Sequence, residues 1–152
     1  METLKIEHLV IAIQHRQKIQ YFDDERELNQ ICEIVELRPE EMTISNNEYQ
    51  YDVEFDDVKP ILFPLSSLTK EIEINGEKFV PYKKLGWELI NGDSEFGQVV
   101  YCEYGESPKT AVNVLDYLDD LQKLQEWKFD IYGLIEKGLA IAVTDEFNPY
   151  KQ

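Results

Sequence analysis

Carboxylates dominate the side chains in this sequence that could do chemistry. Asp23-Asp24-Glu25, Asp56-Asp57 and the trio Asp116, Asp119 and Asp120 are the densest clusters. Acids converging on one pocket can hold the two divalent cations of a phosphodiester-cleaving site, and Asp57-Val58-Lys59 has the Asp-x-Lys spacing that such sites use. Glu126-Trp127-Lys128 has the same carboxylate-x-Lys spacing, so in so acidic a chain the match discriminates little. Asp56, Asp57 and Lys59 define the enzymatic alternative, a metal-dependent nuclease. Other reactions lack their residues: the chain has no Gly-x-Gly-x-x-Gly, no Gly-Lys-Ser/Thr phosphate loop and no Gly-x-Ser-x-Gly elbow. His8 and His15 sit together near the start, far in sequence from any candidate nucleophile. No cofactor and no dedicated metal site is expected, and the preferred reading is non-enzymatic.

The places where basic residues are missing carry more information. From Glu40 to Asp57 the acids Glu40, Glu41, Glu48, Asp52, Glu54, Asp56 and Asp57 occur without a Lys or Arg, and from Leu85 to Pro108 so do Glu88, Asp93, Glu95, Glu103 and Glu106. Laid side by side, these stretches would form a negative field with Tyr49, Tyr51, Tyr101 and Tyr104 interleaved. Such a face can imitate a phosphate backbone and accelerate association with a basic partner. The candidate binding residues are therefore Glu48, Asp52, Glu54, Asp56, Asp57, Glu95, Glu103 and Glu106. The competing reading is a surface that serves solubility alone.

Composition sets the frame for these residues. The 152 residues include 31 acidic and 15 basic side chains, a formal charge of −16, with 43% hydrophobic and 12% aromatic content. A chain of this size and aromatic content reads as one compact acidic domain spanning 1–152, with 144–152 as a polar tail free to be flexible. The net charge repels nucleic acid and anionic membranes, so the expected partner is a basic protein. The longest apolar run, Leu9 to Ile13, is far short of the roughly 18 residues of a membrane span, and Met1-Glu2-Thr3 lacks a signal peptide's basic region. A cytoplasmic location is expected, with Cys32 and Cys102 as thiols.

The elements that must position these side chains are legible in part. Leu4-Lys5-Ile6 and Lys18 to Phe22 alternate as strands would, and Leu9 to Ile13 fits either a strand or a short buried helix. Ile31 to Leu37 leans to strand through its β-branched residues. Asn46-Asn47 between Thr43-Ile44 and Tyr49 to Phe55 marks one hairpin, and Asn75-Gly76 between Glu71 to Ile74 and Glu77 to Val80 marks a second. Two prolines make Lys59 to Leu65 an edge or connecting segment. Pro81 opens a short helix, while Ser107-Pro108 starts a long one whose apolar stripe runs from Ala111 through Leu124 toward Trp127. Asp130 caps a second helix, Ile131 to Lys137, ended by Gly138, and Leu139 to Val143 leaves as a strand. Trp87, Phe96, Trp127, Phe129 and Tyr132 read as core. The class is α+β: a mainly antiparallel sheet with one long and one or two short helices in the C-terminal half.

Three stretches carry a resemblance. Leu4 to Leu9, Lys59 to Glu73 running into Asn75 to Pro81, and Trp127 to Ile141 with Asn148-Pro149-Tyr150 together resemble a group of small proteins encoded by phages and prophages of Bacteroidetes. The resemblance covers about half the chain. It implies a mobile-element passenger and brings no activity or catalytic residue with it. The expectation is a non-enzymatic accessory protein that binds another protein, in its most pointed form an anti-CRISPR-like nucleic-acid mimic that blocks a host defence factor.

Overall fold

A computed structural model describes residues 2–23, 28–86, 88–89, 99–100 and 114–151. The first element is a helix, α1 (Ile6–Gln14), which replaces the strand expected at Leu4 to Ile6. The apolar run Leu9 to Ile13 follows helical spacing: Leu9 and Ala12 lie three apart and face the core. His8 Nδ1 accepts the Lys5 backbone N–H at 3.1 Å, which occupies a donor left open at the helix start. Arg16 closes the helix in the left-handed region at φ 51°, and Gln17 N–H reaches back to the Ala12 carbonyl at 2.8 Å.

The strands are β1 (Lys18–Asp23), β2 (Leu28–Leu37), β3 (Glu41–Ser45), β4 (Gln50–Glu54), β5 (Val58–Leu62), β6 (Ile72–Ile74), β7 (Glu77–Phe79), β8 (Glu88–Leu89), β9 (Val99–Val100) and β10 (Ile141–Ala142). Six of them form one sheet in the order β10-β5-β1-β2-β3-β4, antiparallel except where β10 runs parallel to β5. Register assigns the faces, because residues directly opposite in a ladder share one side. Ile19 opposite Cys32, Ile34 opposite Ile44 and Met42 opposite Val53 carry the side that packs against α1. Lys18 opposite Glu33, Gln20 opposite Ile31 and Thr43 opposite Asp52 carry the other side. The pairing jumps from Ile34–Ile44 to Glu36–Thr43, so Val35 is the extra residue of a β-bulge and stands 47% exposed.

A second apolar cluster covers the other side of the sheet at its β5 end. Ile61 and Phe63 pack there with Leu68, Ile72, Ile74, Leu124, Phe129, Val143 and Tyr150, whereas Val58 and Leu62 belong to the α1 side. This makes β5 an interior strand, not the edge or connector suggested by Pro60 and Pro64. The reason is a long-range pairing: β10 pairs only with Ile61 and Leu62, so its ladder begins one residue past Pro60. The Asn75-Gly76 hairpin forms as expected, with both turn residues at positive φ, 52° and 81°. Pro81 opens α2 (Pro81–Lys84). The helix α3 (Val114–Glu126) follows, and its expected start at Ser107-Pro108 lies outside the described residues.

Residues 131–137 do not form the expected helix and fold as successive turns. Asp130 still acts as a cap: its two carboxylate oxygens accept the N–H groups of Leu134 and Ile135 at 2.8 and 2.9 Å. Gly133, at φ 67°, breaks the run before a helix can propagate. Of the aromatic residues read as core, Phe129 is buried, Trp127 is half-buried and Tyr132 is exposed against His8; Trp87 and Phe96 lie outside the described residues.

Residues 144–150, read in the sequence as a tail, lie against the fold. Tyr150 is 5% exposed, and its hydroxyl accepts the Lys18 N–H at 2.9 Å and donates to the Ile61 carbonyl at 2.6 Å. Its own carbonyl accepts the Asn75 N–H, while Asn148 Nδ2 donates to the Glu73 carbonyl. Burial is the largest influence on the Tyr150 phenol and raises its pKa, outweighing the Lys18 hydrogen bond that lowers it. The native state thus holds this proton more tightly than the unfolded chain. The associated stability is complete below the ordinary tyrosine value near 10 and drains away as pH climbs from there toward the raised native value. Tyr150→Phe leaves two inward backbone groups short of a partner and is expected to cost about 1–3 kcal/mol in urea denaturation at neutral pH. The same variant should lose less stability than the parent chain when both are compared between neutral pH and about pH 11.

Candidate acidic interface

The hairpin of β3 and β4 presents most of the described acids expected to act together. Its turn is built by Asn46, whose side-chain oxygen accepts the N–H groups of Glu48 and Tyr49 at 3.0 and 2.8 Å, and by Asn47 at φ 77°. Glu48 is thereby held exposed at the tip beside Tyr49, which is 63% exposed. Tyr49, Tyr51 and Tyr21 form a short aromatic row, with ring centroids 6.5 and 5.9 Å apart. β4 ends the strand order of the sheet among the described residues. Strand alternation then turns Asp52 and Glu54 outward while Val53 points to the core.

Asp52 is not a free charge. The residue that claims it is Arg38, just before the stretch without bases, where it sits among Glu36, Glu41 and Asp52 at 3.3, 3.1 and 3.1 Å. Arg38 also donates to Thr43 Oγ1 at 3.2 Å, and the Thr43 hydroxyl donates to Asp52 Oδ1 at 2.7 Å. The Thr43 hydroxyl and then the guanidinium hold the Asp52 carboxyl below its usual range; at Arg38 desolvation pulls the pKa down, and Asp52, Glu41 and Glu36 together outweigh it and raise it. A scan for basic residues that starts at Glu40 misses this ion, because the turn at Arg38-Pro39 is what brings it over Thr43 and Asp52. Its sequence signal is only an Arg beside the first residue of a hairpin.

The nuclease candidates have separate surroundings. Asp56 is exposed; the Asp57 carboxylate accepts the Glu54 N–H at 3.1 Å and so caps its own single turn (Phe55–Asp57). Lys59 lies along β5 with its ammonium 5.7 Å from the Phe22 ring centroid. Among the described residues, no group of three or more His, Cys, Asp or Glu side chains is placed to hold a metal ion. Glu95, Glu103 and Glu106 lie outside the described residues, as do Tyr101, Tyr104 and Cys102. The geometry therefore speaks only to the first acidic stretch.

The remaining titratable groups have structural surroundings. Burial lowers the pKa of both His8 and His15, favouring neutral rings, and raises that of the Cys32 thiol, which is 2% exposed. Lys18 pairs with Glu33 across β1 and β2, and Lys84 of α2 with Glu77 of β7. Along β4 stand exposed acids that form no ion pair with a described residue, Glu48 at the turn before the strand and Glu54 and Asp56 at and past its far end.

No family model, no curated protein and no solved structure matches the chain. No helix among the described residues is long and apolar enough to cross a membrane.

The Arg38 cluster predicts a measurable titration. Because the native Asp52 pKa is depressed, its contribution to stability is present above the ordinary aspartate value near 3.9 and is lost as pH falls through the native one. In Arg38→Gln the Asp52 carboxyl carbon resonance should titrate at higher pH than in the parent, yet stay below the ordinary value while the Thr43 hydroxyl still donates. Unchanged titration would mean that the guanidinium does not act on Asp52.

Proposed function

We propose that this chain is a non-enzymatic accessory protein of phage or prophage origin that works by binding a basic protein through the acidic end of its sheet. The observation that supports the reading is the line of exposed acids along the outer strand of the sheet, Glu48 at the β3–β4 turn and Glu54 and Asp56 at and past the far end of β4, without basic partners among the described residues. In a chain of charge −16, such a line of acids steers a cationic surface toward the β4 edge. Tyr49 adds an exposed ring of the kind that anchors interfaces. The sharpest form of the proposal is a nucleic-acid mimic that occupies the DNA- or RNA-binding groove of a host defence factor in the bacterial cytoplasm. Arg38 then serves the mimic by fixing Glu36, Glu41 and Asp52 in a rigid array.

Binding to a panel of purified basic, nucleic-acid-binding defence proteins of Bacteroidetes hosts tests this reading. Affinity should fall as salt rises from about 50 to about 300 mM, since rim charges at such interfaces are screened over roughly 10 Å. DNA should compete, and the triple variant Glu48→Lys, Glu54→Lys, Asp56→Lys should bind at least about tenfold more weakly, equivalent to about 1.4 kcal/mol. Affinity that ignores salt, or a charge-reversed variant that binds as well as the parent, would remove the proposal.

A further inference from the structure

Aromatic rings of this chain sit beside its own cations in several places. The Lys59 ammonium lies 5.7 Å from the Phe22 ring centroid, that of Lys84 4.4 Å from Phe79, and that of Lys128 5.8 Å from Tyr150. Tyr49 and Tyr51 have no such cation among the described residues. The sequence explains the difference, because Glu40 to Asp57 contains no Lys or Arg. A cleft lined by residues from 63–78 and 142–151 sets Lys70 beside Glu71 and Lys78 opposite Glu73, so its charges favour neither sign of ligand. The turn before β4 is different.

Tyr49 ends the row of three tyrosines. Tyr21 and Tyr51 are stacked at 27° and half-buried against the α1 core, whereas Tyr49 is tilted at 48° to Tyr51 and stands exposed. Its backbone is braced. The N–H groups of Glu48 and Tyr49 both donate to Asn46 Oδ1, and Asn46 Nδ2 donates to Gln30 Oε1 on β2 at 2.7 Å. A ring carried on a fixed turn loses less freedom when a partner settles on it.

The surroundings select the kind of side chain that would settle there. An anion is repelled by a chain of −16, and an uncharged group makes no use of that field. Between the two cations, a guanidinium is planar and weakly hydrated, so it can lie flat on the ring while its edge donates to a carboxylate. An ammonium is compact and holds its water more strongly. We propose that Tyr49 seats an arginine side chain of the basic protein partner, its guanidinium stacked on the ring with Glu48, the preceding residue, as counter-charge. This rests on the acidic-surface reading above and narrows it, since the partner must present arginine, not lysine, at this contact.

Titrating the full chain with capped hexa-arginine and capped hexa-lysine at about 50 mM salt, followed by the Tyr49 ring resonances and by affinity, tests the assignment. Hexa-arginine should shift those resonances and bind at least about threefold more tightly than hexa-lysine. Arginine can also outdo lysine at bare carboxylates, so the decisive comparison uses the ring. Tyr49→Leu should weaken hexa-arginine by about that factor and leave hexa-lysine unchanged, whereas Tyr49→Phe, which keeps the ring, should bind as the parent does. The urea midpoint of both variants should match the parent at this exposed position. Equal affinities for the two peptides, or an arginine preference that survives Tyr49→Leu, overturns the proposal and leaves the acidic-surface reading standing. Failure of both peptides to bind up to about 1 mM overturns the two together.

Discussion

Burial of β5 on both of its faces is the constraint from which the rest of this structure follows. Val58 and Leu62 close the core beneath α1, while Ile61 and Phe63 close the one beneath α3 and the C-terminal residues. Side chains of this kind contribute roughly 1.5–3 kcal/mol each when taken fully out of water, and Val58, Ile61 and Leu62 are each no more than 3% exposed. A strand that is apolar on both sides cannot sit at an edge, so the chain supplies β1 on one flank and the short β10 on the other. The Tyr150 hydroxyl locks the arrangement by bonding at once to β1 through Lys18 and to β5 through Ile61. Sequence ends that are far apart thereby meet in one hydrogen-bonded knot.

That asymmetry also explains where function can reside. The second cluster covers only the β5 end of the outer sheet face, leaving Ile31 and Val35 at 42% and 47% exposure, with Thr43 and Asp52 farther out on the same side. An antiparallel sheet tolerates one wet face, and here that face grades from partly apolar at β2 to acidic at β4. The charges on it are organised: Glu33 is held by Lys18, and three carboxylates share Arg38. The acids left over gather at the hairpin tip and at the turn after β4. The opposite edge of the sheet has a different character, a cleft lined by apolar side chains and by charges of both signs. Two surfaces with unlike electrostatics thus sit on one small fold.

The local signals proved dependable where a short stretch of backbone decides the outcome. Asn46-Asn47 and Asn75-Gly76 form the turns their side chains and φ preferences require, and the β-branched residues of Ile31 to Leu37 do make a strand. Other readings did not hold. Leu4 to Ile6 looked like a strand because alternation over three residues is compatible with either period; Leu4 and Lys5 instead lead into a helix that begins at Ile6, where contact of Leu9 and Ala12 with the core favours helix. The two prolines pointed β5 toward an edge, because nothing local reveals that β10 pairs only beyond Pro60. Asp130 was read correctly as a cap, but the segment it caps contains Gly133 in the left-handed region, and turns win over helix there. The candidate acids were readable as a stretch without bases; their partial neutralisation by Arg38 was not, since that contact depends on the fold of the hairpin onto the preceding turn.

By itself the sequence determined the α+β class, the positions of the tight turns and a strong surplus of negative charge, because each depends on composition or on neighbours within a few residues. Only the tertiary structure decided which face of each strand is buried, that β5 is interior, that Asp52 is bound to Arg38, and that lysines from 70, 78 and 151 line one cleft with acids between them. Those facts depend on pairings between segments separated by tens of residues, as with Tyr150 and Lys18. No periodicity or local propensity encodes such pairings one at a time; they emerge from burying all the apolar faces together.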